Sequence, residues 1–207
     1  MQAFARLTGV AAPLPMANVD TDKIIPAKWL KTIKRTELGV ALFEPLRWDA
    51  DGSERPDFIL NRTPYRKAKI LIVGENFGCG SSREHTAWAL LDFGIRCVIA
   101  TSFADLFFNN CIENGILPIV LPKEEVETLM GEAAQAKDPT YTVDLEQQEI
   151  VRPTRNKVFR FNFASVHRNR LLNGIDQVSL TMQKRHQIDR FEAGQKASQP
   201  WLYHGPA

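Results

Sequence analysis

The stretch from residue 69 to residue 121 alternates two kinds of pattern, and this alternation restricts the possible folds more than any other feature of the chain. Short apolar runs at 70–73, 97–100 and 119–121 have the length and composition of buried strands. Between them lie two segments with apolar residues at helical spacing, which end at Gly94 and Gly115, because glycine commonly closes a helix. The order predicts a parallel βαβαβ core, and hence an α/β fold.

The flanking segments predict further elements around this core. The first seventy residues are interrupted by polar loops and prolines, which predicts short strands and loops there. A helix is expected at 124–135. After it, apolar and polar residues alternate over 141–145 and 159–163, which is typical of antiparallel strands, and a further helix is expected to stop at Gly174.

The length and charge of the chain limit its class. A chain of 207 residues, 44% of them hydrophobic, can build one substantial core, so we expect a single domain over 1–194 and a disordered tail over 195–207. The net charge of +2 gives no field that would attract nucleic acid or an anionic membrane. No apolar run approaches the roughly 20 residues of a membrane span, so we expect a cytoplasmic protein that binds neither nucleic acid nor membrane.

The cysteines predict no metal site within this chain. Cys79, Cys97 and Cys111 are odd in number and lack C-x-x-C spacing, so they indicate neither a disulfide framework nor a self-contained metal site. Cys97 and Cys111 fall on a predicted strand and a predicted helix, where small apolar residues are expected. One remaining thiol cannot hold an iron–sulfur cluster, and we therefore expect no cofactor bound by this chain.

The run 74–85, reading GENFGCGSSREH, is the candidate site, because it follows a predicted strand and precedes a predicted helix. Its three glycines, of which Gly80 is the last, let the backbone lie directly against a ligand. Ser81, Ser82 and Arg83 follow at once. A helix starting near Ser81 would direct free N–H groups toward the same point as Arg83, which predicts a site for a carboxylate or phosphate.

Several other interpretations of this run have to be weighed. Ser81 and Glu84 match the S-x-x-E capping box, in which both side chains only satisfy N–H groups at a helix start. Nucleotide-binding motifs fail, because no lysine follows Gly80 and because Arg83 stands where a dinucleotide motif needs glycine. His85 could act as an acid or base, or orient a neighbour through its ring N–H groups, and the sequence favours neither.

The residues GCGSSREH, with NVDTDKIIP at 18–26 upstream, resemble the swivel domain of the aconitase superfamily. More narrowly, the chain resembles the small subunits of bacterial 3-isopropylmalate dehydratases. The similarity includes 102–107 and 117–120 and covers nearly the whole chain apart from its C-terminal tail. It implies a swivelling β/β/α domain.

The resemblance also implies a function. That family isomerises 2-isopropylmalate and 3-isopropylmalate through isopropylmaleate in leucine biosynthesis, as a hydro-lyase active only with a large subunit. A four-iron four-sulfur cluster belongs to the large subunit, which is the implied partner of this chain. The implied substrate is a small malate-type diacid.

By the resemblance, four residues carry the chemistry. Ser81 matches the serine that removes the carbon-bound proton, while Ser82 and Arg83 match residues that hold a substrate carboxylate. A serine hydroxyl is a weak acid, so a guanidinium and exclusion of water must stabilise its anion. Asp22 matches an acidic residue that supports the active site, and the alternative for Asp22 is a turn-forming or N-capping aspartate.

One departure from the aconitase pattern bears on the substrate. Aconitase has a second arginine shortly after its matching aspartate, whereas spacing puts Ile33 near that position here, where an apolar side chain suits an isopropyl group better than a carboxylate. Lys31, Lys34 and Arg35 are the alternative substrate-facing residues of this loop. Small subunits acting on homoaconitate or on citraconate and methylmalate therefore stay open, as does a non-catalytic α/β anion-binding module.

Overall fold

The computed structural model describes residues 1–152 and 157–203, and within them seven strands form one mixed sheet. The sheet has the order β4-β3-β2-β1-β5-β6-β7. Strands β1 to β4 are parallel to one another, whereas β5, β6 and β7 continue the sheet in antiparallel pairs beyond β1. The strands are β1 (Arg6–Leu14), β2 (Ala68–Val73), β3 (Cys97–Ala100), β4 (Leu117–Val120), β5 (Thr140–Asp144), β6 (Glu149–Arg152) and β7 (Lys157–Arg160).

The helices connect these strands and extend the chain at its C-terminal end. In the part of the chain that the structure describes, no helix combines the length and the apolar character that a membrane crossing requires. The α-helices are α1 (Thr21–Ile24), α2 (Glu44–Arg47), α3 (His85–Phe93), α4 (Asp105–Asn114), α5 (Lys123–Gln135), α6 (Ser165–Asn173), α7 (Gln177–Met182) and α8 (Arg185–Ser198). Short 3-10 helices occupy Ala27–Lys31, Gly39–Ala41, Ile59–Asn61, Tyr65–Lys67 and Pro200–Leu202.

The predicted βαβαβ core is confirmed, since β2, α3, β3, α4 and β4 follow one another with parallel pairing of the strands. The glycines end the helices as predicted. Gly94 has φ +108° and Gly115 has φ +79°, and the N–H group of each returns to carbonyls of the last helical turn. The chain is therefore an α/β protein with added antiparallel strands.

Strands β2, β3 and β4 are almost entirely apolar because both faces of the sheet are covered. Leu71 and Val73 of β2 pack into a core with α3 and the segment before β2, whereas Ile70 and Ile72 pack on the opposite face with α5 and α6. Successive side chains of a strand point to opposite faces, which assigns these two cores to the two sides of the sheet.

Strand β1 differs from the sequence prediction, which gave only short strands and loops before residue 70. It is nine residues long and lies at the centre of the sheet, parallel to β2 on one edge and antiparallel to β5 on the other. Its sequence RLTGVAAPL contains a glycine, a proline and small residues, which are weak strand formers. Pairing with two neighbours, rather than local preference, makes this segment a strand.

The C-terminal end is also more regular than predicted. Helix α8 continues past Gln195 to Ser198, and a 3-10 helix follows at Pro200–Leu202, where the sequence analysis expected a disordered tail. Residues 204–207 of that predicted tail lie outside the described residues.

Candidate active site

The site forms where the parallel strands β1, β2 and β3 end, as is usual for ligand sites in α/β sheets. The loop after β2 runs between the loops that follow β1 and β3. On one side the Gly78 N–H donates to the Val19 carbonyl (2.8 Å) and the Cys79 carbonyl accepts from the Thr21 N–H (2.9 Å). On the other side Phe77 and Ser102 pair through their backbones (3.2 Å). The run 74–85 is thus fixed at both edges.

Two features make this close approach of loops possible. Gly78 has φ +78°, and an added β-carbon would lie 2.6 Å from Cδ2 of Phe107 and closer still to its Cγ. Only glycine fits there without movement of the ring. Asn18 and Asn76 also have positive φ angles, 52° and 53°, and the Asn76 side-chain N–H donates to the Asn18 side-chain oxygen (2.8 Å), which ties the loops together.

The predicted helix start near Ser81 is wrong, because α3 begins at His85 with Glu84 in the cap position and no side-chain cap. The capping-box interpretation fails with it. The Ser81 N–H donates instead to the Thr21 hydroxyl (3.3 Å), and the Glu84 carboxylate accepts from the Asn114 side chain (2.8 Å). Partners distant in sequence replace the local cap. The Ser81 contact uses only its backbone, which leaves the hydroxyl to other partners.

Arg83 and Asp22 form an ion pair, so the structure brings together the two charged residues of the predicted site. Asp22 lies in the first turn of α1, but the helix cap is Asp20, whose carboxylate accepts from the Lys23 N–H (2.8 Å). Burial raises the pKa of Asp20, but hydrogen bonds from Lys23 outweigh it and lower that pKa below its usual value. The N-capping interpretation of Asp22 is therefore excluded.

Gly80 completes the turn that carries the serines toward α1. It has φ +101°, and an added β-carbon would lie 3.6 Å from the hydroxyl oxygen of Thr21. Gly80 and Ser81 thus lie against Thr21, and Arg83 contacts Asp22, the chain neighbour of Thr21. Ser82 lies on the same loop and is exposed.

Ile33 does not join this cluster in the isolated chain, where it is 92% exposed. Its loop nevertheless lies at the start of α3, because the His85 ring Nε2 lies 2.9 Å from the Thr32 carbonyl oxygen and the Arg35 guanidinium lies 5.1 Å from the centre of the Trp88 ring. A carbonyl oxygen only accepts, so Nε2 of His85 carries a proton and donates it. This geometry favours the orienting interpretation of His85 over the acid–base one.

Sequence reasoning missed three residues that shape the site. Thr21 binds the Ser81 backbone, Asn110 donates to the Ser82 carbonyl (3.2 Å), and Asn114 donates to Glu84. Thr21 lies inside the 18–26 motif, so the sequence contained a signal from which it could have been identified. The two asparagines on α4 gave none, because their partners are about thirty residues away along the chain.

The cysteines do not fit an iron–sulfur cluster held by this chain. Cys97 and Cys111 are fully buried in the two cores, and burial raises the pKa of both thiols, whereas Cys79 is half-exposed in the site loop. Over residues 1–152 and 157–203, no group of three or more histidine, cysteine or acidic side chains could hold a metal ion.

Comparisons with known proteins agree with this architecture. The aconitase C-terminal domain family matches residues 1–124, and the family of C-terminal domains from 3-isopropylmalate dehydratase small subunits matches residues 178–204, so the resemblance extends into the tail. The 3-isopropylmalate dehydratase small subunits of Parvibaculum lavamentivorans and Dinoroseobacter shibae are 59% and 56% identical, over 98% of this chain and 100% of theirs. A crystal structure of 3-isopropylmalate dehydratase from Methanocaldococcus jannaschii is 29% identical with a TM-score of 0.65, covering 90% of this chain and 99% of that one.

Proposed function

Because the chain belongs to the family of 3-isopropylmalate dehydratase small subunits, we propose that it is one part of a hydro-lyase that interconverts 2-isopropylmalate and 3-isopropylmalate through isopropylmaleate. It acts only when joined to a large subunit. The observation that carries the proposal is the Gly80–Arg83 loop, whose backbone is anchored to α1 while its serine and arginine side chains lie at the end of the parallel sheet.

Ser81 takes the proton from the substrate carbon. Its oxygen can act as a base only in a setting that stabilises negative charge, and the guanidinium two residues away supplies such a charge. The fixed backbone of Ser81 also holds the oxygen in place, which lowers the entropy cost of reaching the reactive geometry.

Arg83 binds a substrate carboxylate through its planar fork, and the Ser82 hydroxyl and the Gly80 backbone complete the anion site. Asp22 orients the guanidinium through the ion pair. The substrate is a malate-type diacid, and Ile33 contacts its isopropyl group once its exposed loop lies against the partner chain. Departure of the hydroxyl is left to the large subunit, whose four-iron four-sulfur cluster would supply a Lewis acid.

The test is anaerobic reconstitution with a cluster-loaded large subunit, following the ultraviolet absorbance of isopropylmaleate formed from 3-isopropylmalate. Turnover should require both chains. Ser81→Ala should lower kcat by about 10³-fold, since loss of a general base costs roughly 10²- to 10⁴-fold. Ser165→Ala at the exposed start of α6 is the matched control and should keep full activity.

Three results would contradict the proposal. Full activity of Ser81→Ala in the complex would show that Ser81 is not the base. Turnover of citraconate or homoaconitate with a higher kcat/KM than isopropylmaleate would move the enzyme to a neighbouring diacid. Failure to bind any large subunit would favour the alternative function, a non-catalytic anion-binding module.

A further inference from the structure

Helix α4 presents two asparagines to the site loop from one side. Asn110 and Asn114 are four residues apart, so their side chains lie one turn above the other on the same helix face. The Asn110 side-chain N–H donates to the Ser82 carbonyl oxygen (3.2 Å), and the Asn114 side-chain N–H donates to the Glu84 carboxylate (2.8 Å). The two contacts lie immediately before and after Arg83.

Further hydrogen bonds hold both Asn114 and the backbone of Arg83 in place. Asn114 is only 9% exposed, and its amide also donates to the Asn110 carbonyl (2.9 Å) and accepts from the Trp88 indole N–H (3.1 Å). The Arg83 carbonyl accepts from the Thr86 hydroxyl (2.7 Å). The backbone on each side of Arg83 is thus held by side chains, while the guanidinium itself extends into the site.

We propose that Asn110 and Asn114 are positioning residues that hold Arg83 in the orientation required to bind the substrate carboxylate. This inference rests on the proposed function, since it concerns the same arginine. Helix α4 is anchored in the core through Phe107 and Cys111, which are fully or almost fully buried. The asparagines therefore connect the rigid core to the part of the site loop that precedes the first residue of α3. A binding group needs such supporting contacts, because a displacement of about 1 Å at the reacting centre is costly.

The first variant is Asn110→Ala, compared in the reconstituted enzyme with Asn109→Ala on the exposed side of the same helix. We expect Asn110→Ala to raise KM for 3-isopropylmalate by about tenfold, with a smaller change in kcat, while Tm and the affinity for the large subunit stay as in the unchanged chain. Asn109→Ala should change none of these. An unchanged KM in Asn110→Ala would overturn the inference.

A double-mutant cycle with Arg83→Lys separates positioning from a general effect on the fold. Arg83→Lys alone should raise KM, because the ammonium lacks the bidentate fork. Asn110→Ala should then add little in the Arg83→Lys background. If the two effects multiply in full, Asn110 does not act through Arg83 and the inference fails. If Arg83→Lys itself leaves KM unchanged, the carboxylate clamp of the proposed function fails instead.

The second contact can be tested by exchange of donor and acceptor. Asn114→Asp places two carboxylates against each other and should raise KM. Adding Glu84→Gln gives the pair one donor again and should return KM most of the way to the value of the unchanged chain. Failure of the double variant to recover KM, with Tm restored, would show that the contact supports the fold alone and would overturn the assignment of Asn114.

Discussion

Asp22 and Arg83 form an ion pair across the candidate site although 61 residues separate them in sequence. The Asp22 side chain is 63% exposed and that of Arg83 is 24% exposed, so solvent reaches one partner while the other is largely covered. The ion pair uses Nη1 of Arg83, and under the proposed function a substrate carboxylate would bind the same guanidinium with Asp22 still in contact. The pair presents the arginine in a defined direction before any substrate arrives.

Asp22→Asn should raise KM for 3-isopropylmalate severalfold in the reconstituted enzyme, because the guanidinium loses the group that orients it. The free energy of unfolding should change by less than about 1 kcal/mol, as is usual for an exposed ion pair. Steady-state kinetics and thermal unfolding would measure the two effects. The control is Asp49→Asn, which breaks a similar exposed ion pair with Arg55 (2.8 Å) and should leave the kinetics unchanged. If the two variants have equal KM values, Asp22 does not contribute to substrate binding.

Ile33→Arg should lower kcat/KM for 3-isopropylmalate by about tenfold or more, because a guanidinium in place of an apolar group does not suit an isopropyl substituent. Stability should stay the same, since the side chain is almost fully exposed in the isolated chain. Val166→Arg, on an exposed position of α6, is the control. Unchanged discrimination between isopropyl and methyl substrates would assign substrate selection to another residue of the loop.

Gly78→Ala should destabilise the chain by about 2 kcal/mol or more, because the residue has a positive φ and its β-carbon would overlap the Phe107 ring. Gly131→Ala in α5 should change the free energy of unfolding in the opposite direction. An added β-carbon meets nothing within 4 Å there, so alanine should stabilise the helix by about 0.5–1 kcal/mol. Denaturant unfolding of both variants would measure the contrast, and a neutral Gly78→Ala would mean that the loop moves away from α4.

Thiol labelling should distinguish the three cysteines. Cys79 is half-exposed and should react with a small maleimide in the native chain, whereas Cys97 and Cys111 are fully buried and should react only after unfolding. Burial also raises the pKa of both buried thiols, which keeps them protonated and unreactive. Mass spectrometry after labelling would show one modified site, and Cys79→Ser should abolish native labelling.

Removal of α8 and the following turn should have little effect on the core. The residues of 185–203 are exposed or half-exposed, and none is buried. Truncation after Gln183 should therefore shift Tm by no more than about 2 °C, since local units with few buried contacts contribute little to global stability. A large fall in Tm would mean that residues 185–203 pack against the rest of the protein.

The parts predicted from sequence are those set by local pattern. The strands and helices between residues 69 and 121 have their own apolar periods, and Gly94 and Gly115 mark two helix ends because glycine readily adopts the left-handed conformation and its N–H group bonds to its own helix. The start of α3 was mispredicted because the Glu84 carboxylate accepts from the side chains of Asn114 and Trp88 and does not take part in a capping box with Ser81. Strand β1 was missed for the same kind of reason, since only its neighbours in the sheet define it.

The central position of β1 also determines when the sheet can be completed during synthesis. Its parallel partner emerges with residues 68–73, but its antiparallel partner lies at 140–144. All the segments that build the candidate site precede residue 115, so the loop at 74–84 can assemble on the growing chain while one edge of β1 still lacks its neighbour. An unpaired strand edge can pair with other chains, so we expect the chain to be prone to aggregation in the interval before β5 emerges.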